Sequence, residues 1–250
     1  MNKRALLKFV ALFALIIIMV LSLVFVTRER KKVKCVGFNV FYNTDAHFVS
    51  EAEVGRAVNR VLPGLKGCKL ENIKTHRLEV ELEKNPWVEN AEVFKGYQYG
   101  DSLFYHGTLK IHLVQRIPIM RVVQGRSCFY IDAKGNKMPY SSNGTINVPV
   151  VTGRITREVI DSTLLEFVDF INDDPFWKAQ IQQIHVSSDG ELMLVPRVGN
   201  HKILFGEATD IEKKFRNLKA VYEKGFSHGG WTNYKYVALK YNNLVVCTRK

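Results

Sequence analysis

Histidines, cysteines and paired carboxylates are the side chains that metal, nucleophilic and acid–base chemistry draw on. Seven histidines stand at positions 47, 76, 106, 112, 185, 201 and 228. None sits in H-E-x-x-H or another complete metal motif. Four cysteines, Cys35, Cys68, Cys128 and Cys247, are widely spaced without a C-x-x-C, so no zinc or redox motif is expected. Cys35, Cys128 and Cys247 lie in apolar, strand-like stretches where a free Cys acts as a small hydrophobe. Their pairing as disulfides stays open. Asp173-Asp174 is an adjacent acid pair, but its place before Pro175 reads as a helix-ending loop. Cys128 would make a nucleophile only if accessible, and Phe129-Tyr130-Ile131 beside it suggest a buried strand. There is no G-x-S-x-G, P-loop or G-x-G-x-x-G. With no constellation of the required types, neither an enzyme nor a cofactor or metal site is expected.

An apolar run dominates the first thirty residues. From Phe9 to Val26 only Ser22 is polar. About twenty apolar residues cross a bilayer as a helix, so residues 9–27 are expected to span, behind a short leader at 1–8. The run closes on Val26-Thr27-Arg28 without a small-residue cleavage site, which favours an uncleaved anchor over a signal peptide. Lys3, Arg4 and Lys8 precede it, whereas Arg28, Arg30, Lys31, Lys32 and Lys34 follow it. Counting Lys and Arg alone puts the C-terminal side in the cytoplasm, yet long domains translocate largely regardless of charge. The residues leave orientation open. Of the formal net charge of +12, residues 1–34 contribute +7, from eight Lys/Arg and one Glu. The excess sits where lipid headgroups would meet it, so a bilayer is an expected partner and a nucleic acid is not.

The remaining 216 residues suffice for one large or two small domains. Val33–Tyr42 reads as a strand. Ser50-Glu51-Ala52-Glu53 is a capping box, and Val54, Ala57, Val58 and Val61 follow at helical spacing until Pro63-Gly64. A second helix is expected over about 71–84, with Leu78 and Leu82 on one stripe and Ile73, Arg77 and Val80 beside it, ended by Asn85-Pro86. "WVENAEVF" and "TLKIHLVQR" are strands. The second alternates, with Leu109, Ile111 and Leu113 on one face and Lys110 and His112 on the other. Trp87 is expected in the core and His112 in solvent. Lys95–Gly107 between them reads as a long connecting loop, packed by Tyr99, Phe104 and Tyr105. The order is β-α-α-β-β.

After Arg116-Ile117-Pro118 comes a second region. It has a hairpin "CFYIDAKGNKMPY", a short strand Pro149-Val150-Val151 and a helix over 157–171 marked by Val159, Thr163, Phe167 and Ile171. Strands follow around 181–186, 191–196 and 201–205. Thr209-Asp210-Ile211-Glu212 reads as another capping box, opening a helix with Ile211, Phe215, Leu218 and Tyr222 on one face and its end at Gly225. A last hairpin joins Tyr234–Tyr241 to Leu244–Cys247 through Asn242-Asn243, a pair that tolerates the positive φ of a two-residue turn.

"NPWVENAEV" followed by "LKIHLVQRIPIMRV" resembles the POTRA signature of the bacterial cell-division family FtsQ/DivIB. "YIDAKGNKMP", "VPVVTG", "LFGEATDIEKKFRNL" and "YVALKYNNLVV" resemble, in order, motifs of that family's C-terminal β domain. The resemblance implies an α+β protein with a single N-terminal transmembrane helix, a POTRA-like β-α-α-β-β domain at 33–116 and a mainly antiparallel β domain with accessory helices at 117–250. It implies a cytoplasmic N-terminus and periplasmic domains in the inner membrane at the division septum. It further implies a non-enzymatic scaffold that holds FtsB-like and FtsL-like coiled-coil partners through its β domain, with other divisome proteins engaging the POTRA domain. Two departures stand out. The loop Lys95–Gly107 is longer than the family's tight turn, and the closing motif has Lys240-Tyr241 where Arg usually precedes Tyr. A lysine cannot grip a carboxylate bidentately as an arginine does.

The last strand then acquires two readings. An open strand edge can accept a partner's strand, main-chain bonds supplying affinity and side chains selectivity. The expected partner-binding residues are Lys240, Tyr241, Asn243, Leu244, Val245, Val246, Cys247 and Arg249, with Arg249 and Lys250 suiting an acidic partner. Otherwise the strand merely closes the sheet. A rival function, a POTRA-containing component of polypeptide transport or outer-membrane assembly, predicts tandem repeats or a many-stranded barrel, and the sequence shows neither.

Overall fold

The computed structural model describes residues 3–30, 32–45, 48–99, 105–141, 146–226, 231–241 and 244–250. Helix α1 (Lys3–Arg30) contains a stretch, Ala11–Arg28, long and apolar enough to cross a membrane. Its large apolar side chains, Phe13, Ile18 and Phe25 among them, are exposed, as a lipid-facing helix requires. The chain divides into two compact units, Met1–Gln115 and Arg116–Lys250.

In the first unit a three-stranded sheet of order β1-β3-β2 is formed by β1 (Cys35–Tyr42), β2 (Val88–Tyr99) and β3 (Tyr105–Gln115). β1 runs parallel to β3, and β2 antiparallel to it. Helices α2 (Glu51–Val61) and α3 (Thr75–Glu83) supply Val54, Val58, Leu78 and Leu82 to the core. The capping box at α2 is complete: Ser50 accepts from the Glu53 N–H, and the Glu53 carboxylate accepts from the Ser50 N–H. On β3 the period-two pattern holds, with Leu109, Ile111 and Leu113 buried and Lys110 and His112 exposed. Trp87 is buried and stacks on Phe48 at 4.5 Å. Gln115 gave no sequence signal. Buried at the end of β3, it accepts through Oε1 from the N–H groups of Phe48 and Val49, at 2.8 and 3.0 Å. It thereby satisfies backbone donors that burial would otherwise leave unpaired.

The second unit is one nine-stranded sheet of order β12-β11-β10-β9-β8-β7-β4-β5-β6. Its strands are β4 (Pro118–Gln124), β5 (Ser127–Asp132), β6 (Lys137–Pro139), β7 (Val150–Gly153), β8 (Ile181–Val186), β9 (Leu192–Pro196), β10 (Lys202–Gly206), β11 (Tyr234–Tyr241) and β12 (Leu244–Arg249). Five neighbouring pairs are antiparallel and three, β4–β7, β7–β8 and β10–β11, are parallel. Helices α4 (Arg157–Val159), α5 (Leu165–Asp173), α6 (Pro175–Gln180) and α7 (Ile211–Ala220) pack on it around Phe167, Trp177, Phe205, Phe215 and Tyr222. Asp132 closes the β5–β6 turn by accepting from the Lys134 and Asn136 N–H groups, the Asn136 amide and Arg116. Burial pushes its carboxyl up, but these donors outweigh that and hold it below its ordinary value.

Several expectations are corrected. The helix expected from about 71 is split: a 3-10 turn (Leu70–Asn72) comes first, Ile73 and Lys74 are extended, and α3 starts at Thr75. An extended Ile73 is buried in the core, while Val80 is exposed. Most of the expected loop Lys95–Gly107 is ladder. Lys95 pairs with Leu109, Tyr97 with Gly107 and Tyr99 with Tyr105, because alternating aromatic residues favour a pleated strand. Gly107 packs closely there: a Cβ would stand 2.9 Å from Leu70 Cδ2, so a larger residue would have to displace the Leu70 side chain. Phe104 lies outside the described residues. At α7 no box forms: Asp210 takes a left-handed backbone (φ 49°) without a side-chain cap bond, whereas a box needs an extended N-cap. A π-helical turn (Ile160–Leu164) between α4 and α5 rotates the buried stripe onto Ile160, Leu164, Phe167, Val168 and Ile171. Cys128 is exposed, because β5 is covered only from Phe129 onward. Asp173 ends α5, and Asp174 caps α6 by accepting from the Phe176 and Trp177 N–H groups.

His201, at the start of β10, is buried against Tyr222 and Phe226, its Nε2 2.9 Å from the Tyr222 hydroxyl. Burial lowers its pKa from 6.5 to about 4. The folded protein therefore resists protonation that the unfolded chain accepts. The contribution is complete above pH 6.5 and disappears as pH falls to about 4. Denaturant titrations should show roughly 3 kcal/mol lost across that window, and a His201→Phe variant should lose most of the slope.

Candidate partner-binding edge

The two edges of the nine-stranded sheet are built differently. β6 has three residues, Lys137, Met138 and Pro139, with Met138 buried. A short edge carrying Lys and Pro is blunted against further pairing. β12 has six residues, Leu244-Val245-Val246-Cys247-Thr248-Arg249, with no charge before Arg249 and no proline. Its neighbour in the sheet is β11, along the register Tyr234↔Arg249, Tyr236↔Thr248, Val237↔Cys247, Ala238↔Val246 and Tyr241↔Leu244. Alternate N–H and C=O groups of an edge strand turn away from its neighbour.

The faces of β12 differ. Val245 and Cys247 are half-buried and pack on the core, and burial pushes the Cys247 thiol up, which lowers its thiolate fraction and fits a packing role. Leu244 (58% exposed) and Val246 (38%) lie on the other face, next to Tyr241 (50%). Three neighbouring exposed apolar side chains therefore line this edge of the sheet. Arg249 is exposed opposite Tyr234.

Lys240 is exposed on β11, its Nζ 3.8 Å from Glu191 Oε2 and 6.0 Å from the centre of the Tyr241 ring. Its charge is therefore shared with Glu191, a partner the sequence did not reveal. An acidic ligand would compete with that carboxylate. Asn243 lies outside the described residues. The expected residues thus divide into an outward strip (Tyr241, Leu244, Val246), a core-facing pair (Val245, Cys247) and flanking cations (Lys240, Arg249). Among the described residues no group of three or more His, Cys, Asp or Glu is placed to hold a metal.

Residues 117–248 match the family model described as FtsQ/DivIB, C-terminal related. The chain belongs to the FtsQ/DivIB family. Residues 33–99, from β1 through β2, match a POTRA-like domain, which precedes the FtsQ/DivIB match in the sequence. No curated protein sequence matches the chain. FtsQ/DivIB proteins are non-enzymatic scaffolds with partners in the divisome, and among the described residues one apolar N-terminal helix fits a single-pass membrane anchor.

Since Leu244 and Val246 lie on the outward face of an edge strand, 58% and 38% exposed, Leu244→Asp and Val246→Asp should each change unfolding free energy by no more than about 1 kcal/mol. Leu239→Ala, a buried position three residues before β11 meets the turn, should cost about 2–5 kcal/mol. Chemical denaturation of the three variants checks both values.

Proposed function

We propose that the chain is a bitopic divisome scaffold whose β12 edge accepts an extended segment of an FtsB-like partner, which brings an FtsL-like coiled-coil companion with it for septal cell-wall synthesis. The observation that carries this reading is the contrast between the sheet's edges: β6 is blunted, whereas β12, among the described residues, has no strand on its outer side and is uncharged from Leu244 to Thr248. Tyr241, Leu244 and Val246 select the partner's side chains. Lys240 and Arg249 favour acidic residues at the margins.

In this reading residues 1–8 are cytoplasmic, 9–27 span the inner membrane, and the domains at 33–116 and 117–250 are periplasmic at the septum, the first open to further divisome proteins. The basic residues after the span oppose that orientation only weakly, because a long domain translocates regardless of flanking charge. They then lie at the outer headgroups.

The combined Leu244→Asp/Val246→Asp variant puts two negative charges on the strip. In cells depleted of the native copy it should accumulate normally yet leave filaments, and the FtsB-like protein should no longer co-purify with it. His112→Ala, on the first unit, should divide normally. Normal division and full co-purification by the double variant would refute docking at β12.

A further inference from the structure

Cys35 is the first residue of β1, a few residues beyond the end of α1, and is buried. Cys68 lies in the turn after α2 and is exposed. Their backbones are directly bonded: the Cys35 N–H donates to the Cys68 carbonyl at 2.8 Å, and the Gly67 N–H donates to the Cys35 carbonyl at 2.8 Å. Gly67 has φ +92°. A left-handed glycine and its successor sharing one opposing residue is a G1 bulge, with Cys68 as the residue that faces Cys35. The adjoining pair, Lys34 and Lys69, forms an antiparallel bridge, and the Leu70 N–H donates to the Val33 carbonyl at 2.9 Å. Residues opposed across such a ladder have Cα atoms roughly 5.5 Å apart, inside the range a disulfide spans.

The two thiols now donate to separate carbonyls, Cys35 Sγ to Gly37 at 3.3 Å and Cys68 Sγ to Gly64 at 3.1 Å. Rotation about each Cα–Cβ bond is the change that brings sulfur to sulfur. Burial, and then the neighbouring Cys68 sulfur, push the Cys35 thiol up. The other two cysteines offer no competing pair. Cys128 on β5 and Cys247 on β12 are separated by six strands of one sheet, roughly 30 Å at the usual strand spacing.

We propose that Cys35 and Cys68 are a dithiol–disulfide pair that, when oxidised, staples the first strand of the N-terminal unit to the turn after α2. The co-reactant is a disulfide oxidant. Exposed Cys68 attacks it as thiolate, releasing one oxidant sulfur as a thiol and leaving a mixed disulfide. The Cys35 sulfur then displaces the second oxidant sulfur, which leaves as a thiol with the remaining proton. One oxidant S–S bond breaks, one protein S–S bond forms, and two electrons pass to the oxidant. The staple falls where it has most to hold. Lys34 and Lys69 are like charges directly opposed, which weakens their bridge, and this is the ladder through which the chain coming from α1 enters the unit. The inference is independent of what β12 binds.

The full chain in detergent, reduced and then treated with oxidised glutathione, is unfolded under an alkylating agent and digested for mass spectrometry. A single cross-linked peptide joining Cys35 to Cys68, with Cys128 and Cys247 not joined to each other or to either partner, is expected. Cys68→Ser should abolish that peptide and leave Cys35 alkylated, its exposed position keeping the fold intact. Glutathione retained on Cys68 with Cys35 alkylated, or linkages involving Cys128 or Cys247, would overturn the pairing.

Discussion

Every backbone N–H and C=O in a sheet needs a partner, and at an edge the sheet runs out of strands. That constraint organises the C-terminal unit. Three strand pairs are parallel and must be reached by crossovers. β4 reaches β7 by way of β5 and β6, while the helical segments Arg157–Asp173 and Ile211–Gly225 lie in the other two connections, β7–β8 and β10–β11, and cover the core around Phe167 and Phe215. Nine strands in one open sheet leave two edges. One is shortened to Lys137–Pro139, and the other runs six residues with side chains that invite pairing. A protein that gained nothing from the second edge could have blunted it with the same devices as the first.

The local devices serve this arrangement. Asp132 gathers four donors to close the β5–β6 turn, so the short edge is held by polar bonds rather than by strand length. At the other end Val237 and Leu239 are buried on β11, and Val245 and Cys247 lean on the same core. β12 is thus held by its inward face, leaving Tyr241, Leu244 and Val246 outward. The strand is already ordered in this way, so the docking proposed at this edge would not have to order it. In the first unit, Gln115 does comparable work by satisfying Phe48 and Val49.

Much of this was legible in the residues where one periodicity had one reading. β3 alternates cleanly, the Ser50–Glu53 box stands before a helical stripe, and Trp87 sits between a helix and a strand. Where two signals competed, the reading failed. β4 carries no such signal, since Pro118 reads as a break although it occupies the first position of a strand, where its missing N–H is tolerated. The π turn at Ile160–Leu164 shifted a helical stripe by a rotation that no spacing rule anticipates. At the candidate edge, Leu244-Val245-Val246-Cys247 is apolar throughout, so period two cannot tell inward from outward. The core on one side of the sheet assigns those faces. The Lys240–Glu191 contact joins residues far apart in sequence and had no local signal.

The central claim, that β12 is a docking edge, is tested most directly by photo-crosslinking in dividing cells. A photoreactive residue replaces Tyr241 or Val246 in turn, with exposed His112 as the control on the other unit. The account predicts adducts to one small coiled-coil membrane protein from both edge sites and none from position 112. Adducts at position 112 alone, or no adducts at the edge in cells that divide normally, would contradict it and leave β12 as a strand that only closes the sheet.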